Sequence, residues 1–215
     1  MKEAILFIDG NNLYHNLKAM YVMPGEVDFG KFVDYICKYF GCSLKEARYY
    51  NFIPDIRESK AKYYKHMSYM SEIQKIPKFV MRLRKLQTSS TYEVQKEKRE
   101  ILETLELCNI CKPIVKKMCE DCVGRVKMKE KGIDVMIVVD MINIAIVNNE
   151  DIVCILVSGD GDFVPALDIL RRKDKEVFSA SVVWGYARNL RQHFTCFVIN
   201  KRDLIENCLK EGILQ

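Results

Sequence analysis

With 215 residues, 49% of them apolar and 29% charged, and a formal charge of +5, the chain is long enough for a full core and reads as neither disordered nor fibrous. Its longest apolar stretch, residues 133–147, is too short to span a bilayer and carries Asp134, Asp140 and Asn143, so no membrane association is expected. No long apolar run opens the sequence, so no signal peptide is expected; the nine cysteines then read as reduced thiols or metal ligands of a cytoplasmic protein.

Residues 5–8, Ile-Leu-Phe-Ile, run straight into Asp9, Gly10, Asn11 and Asn12. Such a run predicts a buried parallel strand that opens into a loop at its carboxyl end. Leu13, Leu17 and Met20 then recur at helical spacing, with Asn11 or Asn12 placed to cap the helix start. Asp28 begins a second helix bearing Phe29, Phe32, Val33, Ile36 and Phe40, which Gly41 stops. A strand is predicted over 47–53, a helix over 56–76 with Tyr63, Met67, Met70 and Ile73 in phase, and a strand with a basic tip over 79–86. Residues 88–130 break this rhythm: charge-rich and holding four cysteines, they are expected to form an insertion.

Gly132 opens an apolar helix reaching about Asn148, and residues 152–157 form a second apolar strand that ends in Ser158-Gly159-Asp160-Gly161-Asp162. A helix over 163–172, a strand over 176–183, a short helix over 189–194, a short strand over 196–199 and a closing helix over 202–210 complete the chain. Strands alternating with helices, without hairpin signals, predict one α/β domain over residues 1–215 with a mainly parallel sheet, interrupted by the insertion.

Two strand tips thus carry aspartate beside glycine, where ligands of open α/β sheets bind. Asp9, Asp134, Asp160 and Asp162 are hard oxygen donors of the kind Mg²⁺ prefers, and a cation there could bind a phosphodiester and activate water. Any one of them alone would more simply be a cap or turn residue. Asp140 lies six residues past Asp134, on a different face of the helix, and a satisfied structural role suits it equally. No G-x-G-x-x-G follows the first strand and no G-x-x-x-x-G-K-[ST] occurs, which leaves dinucleotide and P-loop chemistry without a phosphate cradle. His15, His66 and His193 lack ligand spacing, though His15 is near the first loop; Ser158 reads as a turn residue or a hydrogen bonder to phosphate.

Three blocks resemble the NYN domain family, LabA-like branch, a relative of the PIN nucleases: residues 6–12, residues 131–135 with Asp140 beyond, and residues 157–163. The resemblance implies a PIN-like three-layer α/β/α sandwich and Mg²⁺- or Mn²⁺-dependent cleavage of single-stranded or structured RNA. By position it implies Asp9, Asp134, Asp160 and Asp162 as the metal-binding acids and Asn12 as the amide that supports them. PIN relatives often pair, so a homodimer is an expectation with no interface legible in the sequence. Many members have no demonstrated activity, so a catalytically inactive RNA-binding scaffold stands as the alternative. A phosphatase or Toprim-like enzyme, suggested by the D-x-D of Asp160 and Asp162, fits less well.

The cysteine-bearing stretch departs from the family. Cys108 and Cys111, then Cys119 and Cys122, form two C-x₂-C pairs seven residues apart, the donor set of a structural zinc site. Free thiols or a disulfide pair are the other readings. Between residues 57 and 86 there are nine Lys/Arg against two Glu, a local excess greater than the charge of the whole chain. Such a concentration suits a phosphate backbone. Arg82, Arg84 and Lys85, at a strand end, are the expected RNA contacts, whereas Tyr63 and Met67 are expected in the core and Tyr64 and Tyr69 lie among the charges.

Overall fold

The chain is described by a computed structural model that covers residues 1–57, 59–88, 91–121, 128–129 and 132–212. Six parallel strands form its central sheet: β1 (Glu3–Asp9), β2 (Ser43–Ile53), β3 (Phe79–Lys85), β6 (Val153–Val157), β7 (Glu176–Val182) and β8 (Cys196–Ile199). Their spatial order is β3-β2-β1-β6-β7-β8. All four ladders of described register, β1 on β2, β1 on β6, β6 on β7 and β7 on β8, are parallel.

The apolar run of β1 is buried on both faces. Ala4, Leu6 and Ile8 enter one core with Leu13 and Leu17 of α1 (Gly10–Ala19), Phe32 and Ile36 of α2 (Phe29–Phe40), and Met70 and Ile73 of α3 (Lys60–Gln74). Ile5 and Phe7 enter the other, with Ile137 and Met141 of α6 (Ile133–Ile142) and Leu167 and Leu170 of α7 (Val164–Arg172). Burying each such side chain contributes about 1.5–3 kcal/mol, so a strand apolar at every position stabilises helices on both sides at once. The result is the expected three-layer α/β/α sandwich with a parallel sheet.

Helix ends follow the residues that flank them. Asp28 caps α2, its carboxylate accepting from Lys31 N–H at 3.0 Å, and Gly41 closes the helix in the left-handed region at φ 66°. Past Ile142 the helical run continues as a π turn over Asn143–Val147, close to the predicted end at Asn148. Two short helices, α8 (Arg188–His193) and α9 (Lys201–Cys208), complete the larger unit.

Packing divides the chain into two compact units, Met1–Arg84 with Gly132–Gln215, and Lys85–Lys131. Within the smaller, β4 (Gln87–Thr88) pairs antiparallel with β5 (Met128–Lys129), and α4 (Thr91–Thr104) and α5 (Cys111–Asp121) supply the helices.

Candidate active site

Strands β1 and β6 are neighbours, yet the chain leaves β1 towards β2 and leaves β6 towards β7 in the opposite direction. That reversal is a topological switch point, the position where the connecting loops diverge and a crevice opens at the carboxyl edge. Asp9 ends β1 there, and Ser158 to Asp162 follow β6.

Asp9 is only 5% exposed. Its Oδ1 accepts from Asn12 N–H at 3.0 Å, so Asp9 itself caps α1; the expected caps, Asn11 and Asn12, already lie inside the helix. A carboxylate one residue ahead fits because Gly10 brings the backbone hard against β2, where any Cβ would meet the Tyr49 ring and Tyr50 O. The other oxygen, Oδ2, accepts from Ser158 Oγ–H at 3.2 Å. Ser158 Oγ also accepts from Asp160 N–H at 3.2 Å, and Asp160 Oδ1 accepts from Asp162 N–H at 2.9 Å. Asn12 joins the two strand tips a second time, its Oδ1 accepting from Gly159 N–H at 3.0 Å and from Asn16 Nδ2 at 2.8 Å.

Asp134, in the first turn of α6, completes the group. Burial pushes the Asp9 carboxyl above its ordinary range, and the charges of Asp134 and Asp160 push it further. Asp134 is raised in turn, by desolvation first and then by Asp160 and Asp162. Asp9 and Asp134 are thus both raised by neighbouring carboxylates, and among the described residues no Lys or Arg pairs with any of the four. Mutual repulsion without a protein counter-charge is the electrostatic condition of a site that attracts a cation. Among the described residues, however, no three acidic, histidine or cysteine side chains form a set that could hold a metal ion as they stand. Mg²⁺ usually takes only one or two carboxylates and keeps several waters, so the donor set fits a hydrated cation better than a closed cage.

The remaining expectations divide. Asp140 is taken up by other partners: its Oδ2 accepts from Tyr50 Oη at 2.8 Å and Arg48 Nη1 at 3.2 Å, and lies 3.2 Å from Arg82 Nε. Arg82, expected at RNA, buries its Nε against Asp140 while its side chain as a whole stays 41% exposed. That contact is an ion pair without a hydrogen bond. Ser158, expected at phosphate, is 2% exposed and spends its hydroxyl on Asp9. Arg84 is exposed, and its Nη1 donates to Gly132 O at 3.3 Å, two residues before Asp134. Lys85 is exposed and falls in the smaller unit.

His15 is exposed on α1, edge-to-face with Tyr14. Tyr63 and Met67 are half-buried, Tyr64 is exposed, and Tyr69 packs against the first core. Of the four paired cysteines, Cys108 and Cys111 are exposed; the side chain of Cys119 and all of Cys122 lie outside the described residues. Cys111 N–H donates to Cys108 Sγ at 3.4 Å, and that bond is the first cause holding the Cys108 thiol below its ordinary pKa.

Two participants escaped the sequence. Asn16 holds Asn12 in place, a partnership that the one-turn spacing of the two amides could have signalled. The loop after β7 also packs on the site: Ala187 N–H donates to Gly159 O at 2.7 Å, and a Cβ on Gly159 would strike Gly185 O.

A family model described as the NYN domain matches residues 3–199. No curated protein matches the chain. Among solved structures, a Vibrio parahaemolyticus protein of unknown function is similar at 18% identity and a TM-score of 0.52, over 97% of this chain and 96% of that one. At that identity the likeness shows the fold alone.

Proposed function

The chain belongs to the NYN domain family, within the PIN-like nuclease superfamily, and from that premise we propose that it is a metal-dependent ribonuclease hydrolysing RNA phosphodiesters. One observation carries the reading: at the switch point of the sheet, carboxylates from three separate parts of the chain gather, the charges of their neighbours raise Asp9 and Asp134, and no basic partner pairs with them among the described residues.

Asp9, Asp134, Asp160 and Asp162 are the residues that would hold Mg²⁺ or Mn²⁺, which supplies a more acidic bound water and neutralises charge on phosphoryl oxygens. Ser158 and Asn12 fix the two strand tips relative to each other, so the carboxylates are oriented before substrate arrives. Arg84, exposed beside the start of α6, would hold a phosphate oxygen of the RNA. In the smaller unit, Cys108, Cys111, Cys119 and Cys122 are proposed to bind a structural Zn²⁺; the lowered Cys108 pKa supports this, since the thiolate is the ligand form.

The absence of a closed three-ligand set among the described residues favours one second reading, a catalytically inactive RNA-binding scaffold. Purified protein incubated with 5′-labelled RNA in Mn²⁺, Mg²⁺ or EDTA, beside Asp9→Asn, separates the two. Metal-dependent cleavage lost in the variant is expected, and RNA bound but intact under every metal condition would establish the scaffold instead.

A further inference from the structure

Trp184, the chain's single tryptophan, is 58% exposed on the loop that follows β7. A lone exposed apolar side chain is ordinary on a protein surface, so position must decide whether this one matters. The loop leaves the carboxyl edge of the sheet from the strand next to β6, whose own tip carries Asp160 and Asp162. It is also pinned on both sides of the indole. Val183 N–H donates to Ile199 O at 3.0 Å before it, and Ala187 N–H donates to Gly159 O at 2.7 Å after it. Between these points Gly185 turns at φ 77°, where a Cβ would run into the Asn16 amide, and past them, in α8, the Asn189 side chain lies against Gly161. The backbone that presents Trp184 is thus built into the acidic turn, while the ring is left in water. Burying a tryptophan removes about 150–250 Å² of surface, so a fixed loop that withholds it from the core forgoes a large stabilisation. Arg188, exposed at the first position of α8 four residues on, adds a positive charge just past the loop.

We propose that Trp184 is the platform on which one unpaired base of a single-stranded RNA stacks, setting the register in which the adjoining phosphodiester meets the acids. This inference rests on RNA being the substrate. An indole face accepts any base, so the contact contributes affinity and register without sequence preference. It also explains why the loop is anchored through Gly159 and Gly161: a platform tied to the acid-bearing turn keeps a constant distance from it.

Because Trp184 is the only tryptophan, its emission reports this residue alone. Wild-type protein with its zinc retained and no Mg²⁺ or Mn²⁺ added is titrated with a ten-nucleotide oligouridylate while tryptophan emission is followed, and a fluorescein-labelled copy gives affinity by anisotropy. Saturable quenching is expected, with a midpoint equal to the anisotropy constant. Trp184→Ala should weaken binding by roughly 5- to 150-fold, the effect of losing one stacked base, and Trp184→Phe should recover most of it. The melting temperature and the slope of log affinity against log salt should be unchanged in both, since no phosphate contact is lost. Binding that leaves emission unchanged, or that Trp184→Ala does not weaken, overturns the proposal. Absence of any binding overturns it together with the RNA reading. Quenching without metal-dependent cleavage leaves the platform standing and removes only the nuclease.

Discussion

At Asp9 the fold and the proposed chemistry pull in opposite directions, because burial and the charges of Asp134 and Asp160 raise its pKa while cation binding needs the anion. A carboxyl whose pKa is higher folded than unfolded stabilises the fold in its protonated form, and that contribution is lost as pH rises through the folded value. At pH 7.5 in EDTA the ionised group therefore opposes folding. Asp9→Asn keeps the acceptor for Asn12 N–H and removes the charge. Its melting temperature should rise by about 2–4 °C, the equivalent of about 1 kcal/mol in a chain this size, and the gain should vanish near pH 4. Mn²⁺ should then stabilise the wild type and not the variant; a variant less stable than wild type at both pH values would contradict the charge argument. Gly159 is constrained sterically instead, since a Cβ there would meet Gly185 O, a backbone atom that cannot swing aside. Gly159→Ala should cost on the order of 2–4 kcal/mol in denaturant melts and abolish cleavage, while Gly25→Ala, with open space around it, should change neither.

Among the elements, α6 carries Asp134 at its start and Asp140 near its end, and the second acid fixes where the first sits. Asp140 binds Tyr50 and Arg48 of β2 and pairs with Arg82 of β3, while Arg48 also pairs with Glu46. Replacing it by alanine takes that partner from the partly buried Arg48, which keeps Glu46, and from Arg82, which is 41% exposed, and leaves the Tyr50 hydroxyl unbonded, a loss of about 1–3 kcal/mol. Asp140→Ala should therefore lower the melting temperature by several degrees, whereas Asp134→Asn should leave stability near wild type and remove metal-dependent activity. Equal melting temperatures for the two variants would show that the network does not hold the helix. The same contrast explains what the sequence made legible. Strand and helix positions followed from periodicity because burial is a one-dimensional pattern, as in the unbroken run of residues 4–8. The helical rotation between Asp134 and Asp140 separated their faces, but which face met arginine depended on β2 and β3, about 50–100 residues away in sequence. Arg82 and Arg84, two residues apart on one strand, share a face, and sequence alone did not say that the first meets Asp140 while the second, nearer the strand end, stays exposed. The loop at Trp184 carries no motif at all, and only the parallel ladder of β6 and β7 brings it to the acids.

For the whole molecule, the two units answer to different forces. The larger buries a continuous core on both faces of a six-stranded sheet, enough to fold by apolar burial. The smaller spans Lys85–Lys131, below the size at which burial alone usually suffices, and small scaffolds then need a metal, a disulfide or a partner. In it α5 begins at Cys111, whose N–H bonds the Cys108 sulfur and helps hold that thiol below its ordinary pKa, an arrangement that favours the thiolate and a soft cation over a neutral pair. If zinc supplies the missing stability, metal binding and folding of this unit are one equilibrium. Elemental analysis should find one zinc per chain, and Cys108→Ala should lose it. A strong chelator should then open residues 85–131 to limited proteolysis while the melting temperature of the larger unit moves by no more than about 1 °C, because units stabilised separately unfold separately. Zinc-free protein that resists the protease equally well would mean that the smaller unit is held by its own packing and that its cysteines are ordinary thiols.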